Sequence, residues 1–253
     1  MKIKLLYLVL LLAYPFFSNG QLDADSLFKA GNTQYGKQQF SAAAQSYQRL
    51  ADAGYLSADL YMNLGNAYYK LDEIPKAVLY YEKAHKLSPG DAEIAHNLYL
   101  ANARVKDRIT PVPEFFLYTW YKRVVFAASA DAFAVWTVLC VLTGFALLLV
   151  YLFASRIELR KGGFYGGIAL VLVGIIFFFL AGAQSAALNA GRHAIVFKGV
   201  VNIKAAPGES QKTLFVIHEG TKVKIKGEDG DWIHVELANG NEGWMLRNAV
   251  EQI

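Results

Sequence analysis

The chain has 253 residues and a formal net charge of +4, and 55% of its residues are apolar. Residues 21–110 carry ten basic and ten acidic side chains, and residues 191–253 carry eight of each, so the basic surplus lies outside both regions. This distribution gives no support to a nucleic-acid-binding protein, which concentrates basic residues in one domain. The apolar excess is concentrated in a few segments and indicates a membrane protein.

The first twenty residues have the layout of a secretory signal peptide. Lys2 and Lys4 precede an apolar stretch, and Pro15 and small polar residues follow it. We predict a signal peptide over residues 1–20, with cleavage near Gly20, and a retained membrane anchor is the alternative. In either case the residues that follow are expected to be exported.

The next region, residues 21–110, repeats a pattern with a fixed period. The period of 34 residues separates these pairs: Gly31 and Gly65, Asn32 and Asn66, Tyr35 and Tyr69, Ala43 and Ala77, Tyr47 and Tyr81. The pattern resembles the tetratricopeptide repeat. This resemblance implies an all-α solenoid with repeats at about residues 24–57 and 58–91 and a capping helix over 92–109. Gly65 is predicted to be small because two helices of one repeat cross closely there, with Tyr81 beside it.

Solenoids of this family present a concave groove to a partner peptide or helix. The predicted groove is lined by six residues: Phe28, Asn32, Tyr35, Met62, Asn66 and Tyr69. Its aromatic residues and methionine suit the apolar anchors of a partner protein. For the two asparagines the alternative is a hydrogen bond to local backbone. A carboxylate clamp is not expected, because Phe28 stands where that subclass of the family has a lysine.

Residues 111–130 are predicted to be a juxtamembrane linker. The aromatic residues between Phe115 and Tyr121 suit the lipid headgroup region. An alternative is that they cover the predicted groove or bind a partner. Ser129 is the expected N-cap of the following helix, with Asp131 in its first turn.

Two long apolar runs follow the linker. No charged residue occurs from Ala132 to Ser155 or from Gly162 to Gly191. Each run is long enough to cross about 30 Å of hydrocarbon, so we predict transmembrane helices over 131–155 and 164–188. Buried core helices in a soluble protein are the alternative.

A short basic segment separates the two runs and sets the predicted orientation. It contains Arg156, Arg160 and Lys161 against Glu158. Short loops rich in lysine and arginine stay in the cytoplasm, so residues 156–163 are the predicted cytoplasmic loop. Both soluble regions are then expected to face the periplasm from a bacterial inner membrane.

Residues 192–253 alternate between apolar and polar side chains, as half-buried strands do. With the turn sequences "EDGD" and "ANGN", the alternation predicts five or more short strands in an all-β barrel. The stretches "VVNIKAAPGES", "LFVIHEGTKVKI", "GDWIHVEL" and "NEGWM" resemble the bacterial SH3-like domain, which implies binding of cell-wall peptides or proteins. Trp232 and Trp244 form a candidate ligand face. The alternative is that both are structural, one on each strand flanking the "ANGN" hairpin.

The sequence offers little for catalysis. Cys140 is the only cysteine and lies within the first apolar run, so it forms no disulfide within the chain and is a poor nucleophile. The histidines lack metal-ligand spacing, and we find no nucleophile–base pair, paired carboxylates or phosphate loop. We therefore predict a protein that is not an enzyme, with no metal site and no cofactor.

The order of these regions, and the runs "DAEIAHNLYLANARVKDRI", "PVPEFF" and "SADAF", resemble BatE-like proteins of the Bat (Bacteroides aerotolerance) group. The resemblance implies von Willebrand-type Bat proteins and a MoxR-type ATPase system as partners. It also implies an envelope scaffold connected with aerotolerance or stress. The alternative function is a peptidoglycan-binding anchor that acts through the SH3-like domain. Envelope proteins, membrane lipid and peptidoglycan are the expected partners, and nucleic acid is not.

Overall fold

The computed structural model describes residues 18–113, 115–189 and 191–253. The predicted signal peptide therefore lies outside the described residues, apart from residues 18–20 at the start of the first helix. The N-terminal region consists of helices α1 to α5, which span Ser18–Gly36, Phe40–Asp52, Ala58–Lys70, Ile74–Leu87 and Ala92–Asn102. Consecutive helices pack against each other, and short connections make neighbouring helices antiparallel.

Two glycines mark where the paired helices cross most closely. A Cβ atom added to Gly65 would lie 2.5 Å from Cδ1 of Tyr81, and one added to Gly31 would lie 2.5 Å from Cε1 of Tyr47. Both tyrosines are almost fully buried. The prediction that Gly65 is small because of a close crossing is confirmed, and a tyrosine ring fills the contact.

The predicted capping helix over residues 92–109 requires a correction, because α5 ends at Asn102. Beyond α5 the chain crosses to the C-terminal sheet, where Val105 is buried and Ile109 packs against the core. Burial of these two side chains against another domain outweighs their tendency to continue a helix.

The predicted juxtamembrane linker contains a helix, α6, over Phe116–Val125, which the sequence pattern did not indicate. Phe115, Phe116 and Trp120 are each more than half exposed on or beside it. The next helix begins as expected. The Oγ of Ser129 accepts a hydrogen bond from the backbone N–H of Ala132 at 3.2 Å, which confirms the predicted N-cap.

Within the described residues, two helices are long and apolar enough to cross a membrane. They are α7, Ala130–Phe153, and α8, Ile157–Asn189. Large apolar side chains lie exposed along both, as with Phe153, which is 82% exposed. Surfaces of this kind are stable against lipid and costly in water.

The predicted loop over residues 156–163 is another correction, because the connection is confined to residues 154–156 and α8 begins at Ile157. Arg160 and Lys161 thus lie in the first turns of α8. The cause is packing. A Cβ atom added to Gly163 would lie 2.6 Å from the carbonyl oxygen of Leu147, so α8 already contacts α7 at this level.

Seven strands form the C-terminal region, which confirms the prediction of five or more. Strands β1 to β7 span Arg192–Val196, Val200–Lys204, Thr213–His218, Lys222–Asp229, Trp232–Glu236, Glu242–Leu246 and Val250–Gln252. The sheet is antiparallel with the order β3-β2-β6-β5-β4-β1-β7. Ile217 of β3 and Ala194 of β1 lie far apart in this order yet share one buried cluster. The sheet therefore curls around a single core, as small barrels do.

We expect the substitution Gly65→Ala to lower the stability of the helical region. The added methyl group would overlap the buried ring of Tyr81, at a cost of about 1–3 kcal/mol for overpacking. Thermal unfolding of the full chain in detergent, followed by circular dichroism, measures the effect. Gly36→Ala is the matched control, since nothing lies within 4 Å of its Cβ position. Equal melting temperatures for the two variants would contradict the proposed crossing.

Candidate binding surfaces

Asn32 and Asn66 stand at the centres of two equivalent hydrogen-bond networks. The Oδ1 of Asn32 accepts a hydrogen bond from the hydroxyl of Tyr47 at 2.6 Å and another from Nδ2 of Asn63 at 3.3 Å. The same arrangement recurs one repeat later. The Oδ1 of Asn66 accepts a hydrogen bond from the hydroxyl of Tyr81 at 2.7 Å and another from Nδ2 of Asn97 at 3.3 Å. Each asparagine thus joins three successive helices through side chains, rather than bonding to local backbone.

The tyrosines of these networks act as fixed hydrogen-bond donors. Burial, with a smaller contribution from Tyr35, raises the pKa of Tyr47 to about 12, and burial also raises the pKa of Tyr81. Both hydroxyls therefore keep their protons at physiological pH. The networks align α1, α3 and α5, and so position the side chains that these helices present.

The four apolar residues of the predicted groove are half-buried. The ring of Phe28 lies 5.8 Å from that of Tyr47, and Tyr35 meets Phe40 edge-on at 5.2 Å. Met62 and Tyr69 pack partly against the core around α4. Each of the four side chains therefore contributes to the core as well as to the surface of α1 or α3.

A basic residue that the sequence reading did not assign to the groove lies beside Tyr69. The guanidinium of Arg104 sits over the Tyr69 ring, 5.2 Å from its centre, and pairs with Asp72. Arg104 follows α5 directly, so the turn after the last helix places this cation next to the groove. It adds a cation at the edge of the groove, held there by Asp72 and by the Tyr69 ring.

Trp232 and Trp244 lie on β5 and β6, the two strands that flank the "ANGN" hairpin. In the register, Trp232 pairs with Leu246 and His234 pairs with Trp244. Both indoles therefore project from the outer face, opposite the buried Ile233. The ring of Trp244 stacks on His234 with centroids 5.0 Å apart.

Trp232 borders a small cavity on the barrel. The cavity has a volume of about 150 Å³, and its wall includes Asn202, Lys204 and Glu209 beside the indole. An aromatic face next to amide, ammonium and carboxylate groups is suited to a ligand that carries both sugar and peptide groups. Of the two tryptophans predicted to form a ligand face, Trp232 lines this cavity and Trp244 does not.

The helical region and the barrel are clamped together at Asp107. One carboxylate oxygen accepts hydrogen bonds from the backbone N–H of His218 at 2.5 Å and from the hydroxyl of Thr221 at 2.7 Å. The other lies 2.7 Å from Nδ1 of His218. The Asp107 side chain is only 16% exposed. Burial raises its pKa, but the hydrogen bonds from His218 and Thr221 outweigh burial and hold the pKa below its usual value.

Further contacts between the helical region and the barrel come from α4. The Nζ of Lys222 donates a hydrogen bond to Glu82 at 2.7 Å, and Glu82 is 8% exposed. Ile195 of β1 is fully buried in a cluster that also holds Val78 and Leu79 of α4. The barrel therefore docks on α4 and on the segment after α5, while the predicted groove lies on α1 and α3.

These docking residues were not found by the sequence reading. Asp107 falls in a stretch read as helix, and no local pattern marks it. Glu82 gives the one available indication, because it is an acidic residue on a helix face that also carries Val78 and Leu79. A carboxylate at such a position needs a partner, and the partner lies 140 residues away along the chain.

Comparisons with known proteins find similarity in the helical region and in the barrel. The family model described as a tetratricopeptide repeat matches residues 58–91, and the one described as a bacterial SH3 domain matches residues 199–251. The chain is also similar to the putative N-acetylmuramoyl-L-alanine amidase YrvJ of Bacillus subtilis (strain 168), with 30% identity over 53 residues. That match covers 21% of this chain and 10% of the relative. The two domain resemblances drawn from the sequence are therefore confirmed.

We expect the substitution Asp107→Ala to loosen the docking of the barrel. The His218 amide and the Thr221 hydroxyl would lose their acceptor in a partly buried site, at a cost of about 1–3 kcal/mol. Limited proteolysis of the segment after α5 in the full chain should be faster than in the wild type. Asp25→Ala, at an exposed position of α1, is the control and should leave cleavage unchanged.

The effect of Asp107→Ala should depend on pH. A carboxylate with a depressed pKa contributes stability above its unfolded pKa, about 4, and this stability is lost as the pH falls through the lower, folded value. The difference in cleavage rate between wild type and Asp107→Ala should therefore shrink as the pH falls below about 4. A difference that grows on acidification would contradict the clamp.

Proposed function

We propose that this chain is a membrane-anchored, non-catalytic scaffold of the bacterial envelope that binds partner proteins through its tetratricopeptide-repeat groove. The observation that carries the proposal is the docking at Asp107 and Glu82, which joins two binding domains into one unit at one end of the α7–α8 hairpin. Such an arrangement holds two ligands at a fixed separation, which is the physical task of a scaffold.

The proposed location is the inner membrane, with both soluble domains in the periplasm. Two apolar helices supply the anchor, and the similarity to bacterial SH3 domains favours an extracytoplasmic site. Arg156, Arg160 and Lys161 lie at the opposite end of the hairpin from the soluble domains, where the positive-inside rule places the cytoplasm.

The proposed partner of the groove is a segment of another envelope protein. Phe28, Tyr35, Met62 and Tyr69 supply apolar and aromatic surface, and Arg104 adds a cation. The resemblance to BatE-like proteins extends this proposal to a Bat-type complex connected with aerotolerance or stress. Its members would be von Willebrand-type membrane proteins and a MoxR-type ATPase system.

Peptidoglycan binding through the SH3-like domain is a second candidate function. It is favoured by the cavity beside Trp232 and by the similarity to YrvJ, whose name describes an amidase acting on N-acetylmuramoyl-L-alanine. The two functions are compatible, because the groove and the cavity lie on different domains. A protein with both would link the cell wall to a membrane complex.

The groove is tested by co-purification of the full chain from membranes. The double substitution Tyr35→Ala and Tyr69→Ala should abolish recovery of the partner proteins, because it removes two of the aromatic anchors on α1 and α3. Tyr55→Ala with Tyr99→Ala is the matched control, since both tyrosines are exposed and lie outside the groove. Circular dichroism must show unchanged helix content. Undiminished recovery with the folded groove variant would exclude the groove as the binding site.

The second candidate is tested by sedimentation of the detergent-solubilised chain with purified sacculi. Trp232→Ala should weaken binding by about tenfold, since stacking on one indole is worth on the order of 1–2 kcal/mol. Trp244→Ala is the control, because the Trp244 ring stacks on His234 and is not among the residues that line the cavity. If the two variants sediment alike, the cavity is not the wall-binding site.

A further inference from the structure

One side of helix α6 is apolar and uncovered. Phe116 and Trp120 are 67% and 64% exposed, and Leu117 and Tyr121 are exposed beside them. With 3.6 residues per turn, this spacing places the four side chains on one side of the helix, which we call the outer face of α6. Side chains this exposed cover no other part of the described chain, so they do not close the predicted groove. A cluster of large apolar side chains in water indicates a surface that binds something.

The opposite side of α6 faces the rest of the protein. Tyr118 and Lys122 line a cavity together with His85 of α4 and Leu188 of α8. The ammonium group of Lys122 lies over the Tyr118 ring, 4.6 Å from its centre, and Val125 is almost fully buried. Helix α6 is therefore fixed on its inner side to the ends of α4 and α8, and only its outer face is available to an external surface.

The height of α6 along the α7–α8 hairpin can be counted in residues. About 20 helical residues cross about 30 Å of hydrocarbon. Counted from Phe164, the first large apolar residue after Lys161, the crossing part of α8 ends near Gln184. The Nε2 of Gln184 donates a hydrogen bond at 3.0 Å to the carbonyl oxygen of Ala128, in the short connection that follows the end of α6 at Val125. Helix α6 therefore lies at the level where α8 leaves the hydrocarbon.

The residue types of the outer face favour lipid as the occupant. Trp120 and Tyr121 each combine an apolar ring with one polar N–H or O–H group, which is why tryptophan and tyrosine concentrate at membrane–water interfaces. Arg123 borders the outer face in the last turn of α6, where its aliphatic stem can lie along lipid while the guanidinium stays in water. The next exposed apolar surface along the chain is that of α7, with Trp136, and it begins only four residues beyond α6.

We propose that α6 is an interfacial helix whose outer face enters the headgroup region and the outermost acyl carbons of the bilayer beside the α7–α8 hairpin. The proposal rests on the membrane anchor proposed above and adds a second lipid contact to it. Helices of this kind are held by the apolar area that they bury in lipid. Because the inner side of α6 packs at the ends of α4 and α8, this contact fixes which side of the soluble domains is turned towards the membrane.

The depth of Trp120 in the bilayer tests the proposal. The full chain is placed in nanodiscs of phosphatidylcholine that carries bromine either near the headgroup end or near the far end of its acyl chains, and bromine quenches the fluorescence of an indole that it contacts. The chain has four tryptophans, Trp120, Trp136, Trp232 and Trp244. Three variants each retain one of the first three, with phenylalanine at the other positions. Trp136 in α7 is the control within the span, and Trp232 in the barrel is the control outside the membrane.

We expect bromine near the headgroup to lower the emission of Trp120 by roughly half, and the deeper bromine to lower it less, because the indole lies at the interface. Trp136 should respond relatively more to the deeper bromine, and Trp232 to neither. In the chain that retains Trp120, Phe116→Gln with Leu117→Gln should reduce the quenching, because it removes apolar area from the outer face. Leu56→Gln with Leu100→Gln is the matched control, since both leucines are exposed elsewhere.

An unquenched Trp120 beside a quenched Trp136 would overturn the proposal and leave the membrane anchor intact, with a protein surface as the occupant of the outer face. Absence of quenching at both residues would contradict the anchor itself and the proposal with it. Quenching of Trp120 mainly by the deeper bromine, or equal quenching of Trp120 and Trp232, would also overturn the interfacial position. Should the single-tryptophan chains misfold, Trp120→Phe in the otherwise native chain gives the contribution of Trp120 by difference.

Discussion

The close contact between α7 and α8 is the constraint on which the arrangement of the rest depends. At Gly163 the two helix backbones approach so closely that a Cβ atom would meet the carbonyl oxygen of Leu147. At the other end, Nε2 of Gln184 donates a hydrogen bond to the carbonyl oxygen of Ala128 at 3.0 Å. This hairpin returns the chain to the side it came from. Two domains that flank it in sequence therefore become neighbours in space.

Docking of the barrel on the helical region relies on charged side chains as well as on the burial of apolar ones. Glu82 and Asp107 are both largely removed from solvent, and the hydrogen bonds described for each carboxylate come from residues of the barrel. Buried ionic contacts add little net stability, but a misplaced one leaves an unpaired charge at a cost of several kcal/mol. Their contribution is therefore orientation. They permit one relative placement of the barrel on α4, which the apolar contact of Ile195 alone would specify less strictly.

Features with a regular period in the sequence could be predicted. The 34-residue spacing located the crossing at Gly65, and the alternation along β5 and β6 placed Trp232 and Trp244 on strands flanking a hairpin. A period reports which face of an element is buried, because burial repeats with the geometry of the helix or strand. It does not report what lies beyond that face.

The unpredicted features depend on contacts between distant parts of the chain. Helix α5 ends early because Val105 and Asp107 meet the barrel, and no local pattern encodes that meeting. A cavity at the end of α8 likewise brings together His85 of α4, Lys224 of β4 and residues of α6. Phe28 and Tyr35 were assigned to a ligand groove from their positions in the repeat and their residue types, whereas the structure shows that both rings also pack against the core.

The junction between α8 and β1 has a mechanical consequence. Only residues 190–191 separate the end of α8 at Asn189 from the first strand at Arg192. So short a tether spans at most about 10 Å. Any ligand held by the barrel is therefore kept close to the end of α8, at a distance set by the width of the domain. A pulling force on the barrel would be transmitted directly to α8, because the connection is too short to extend further. The contacts of Asp107 would transmit part of the same force to the helical region.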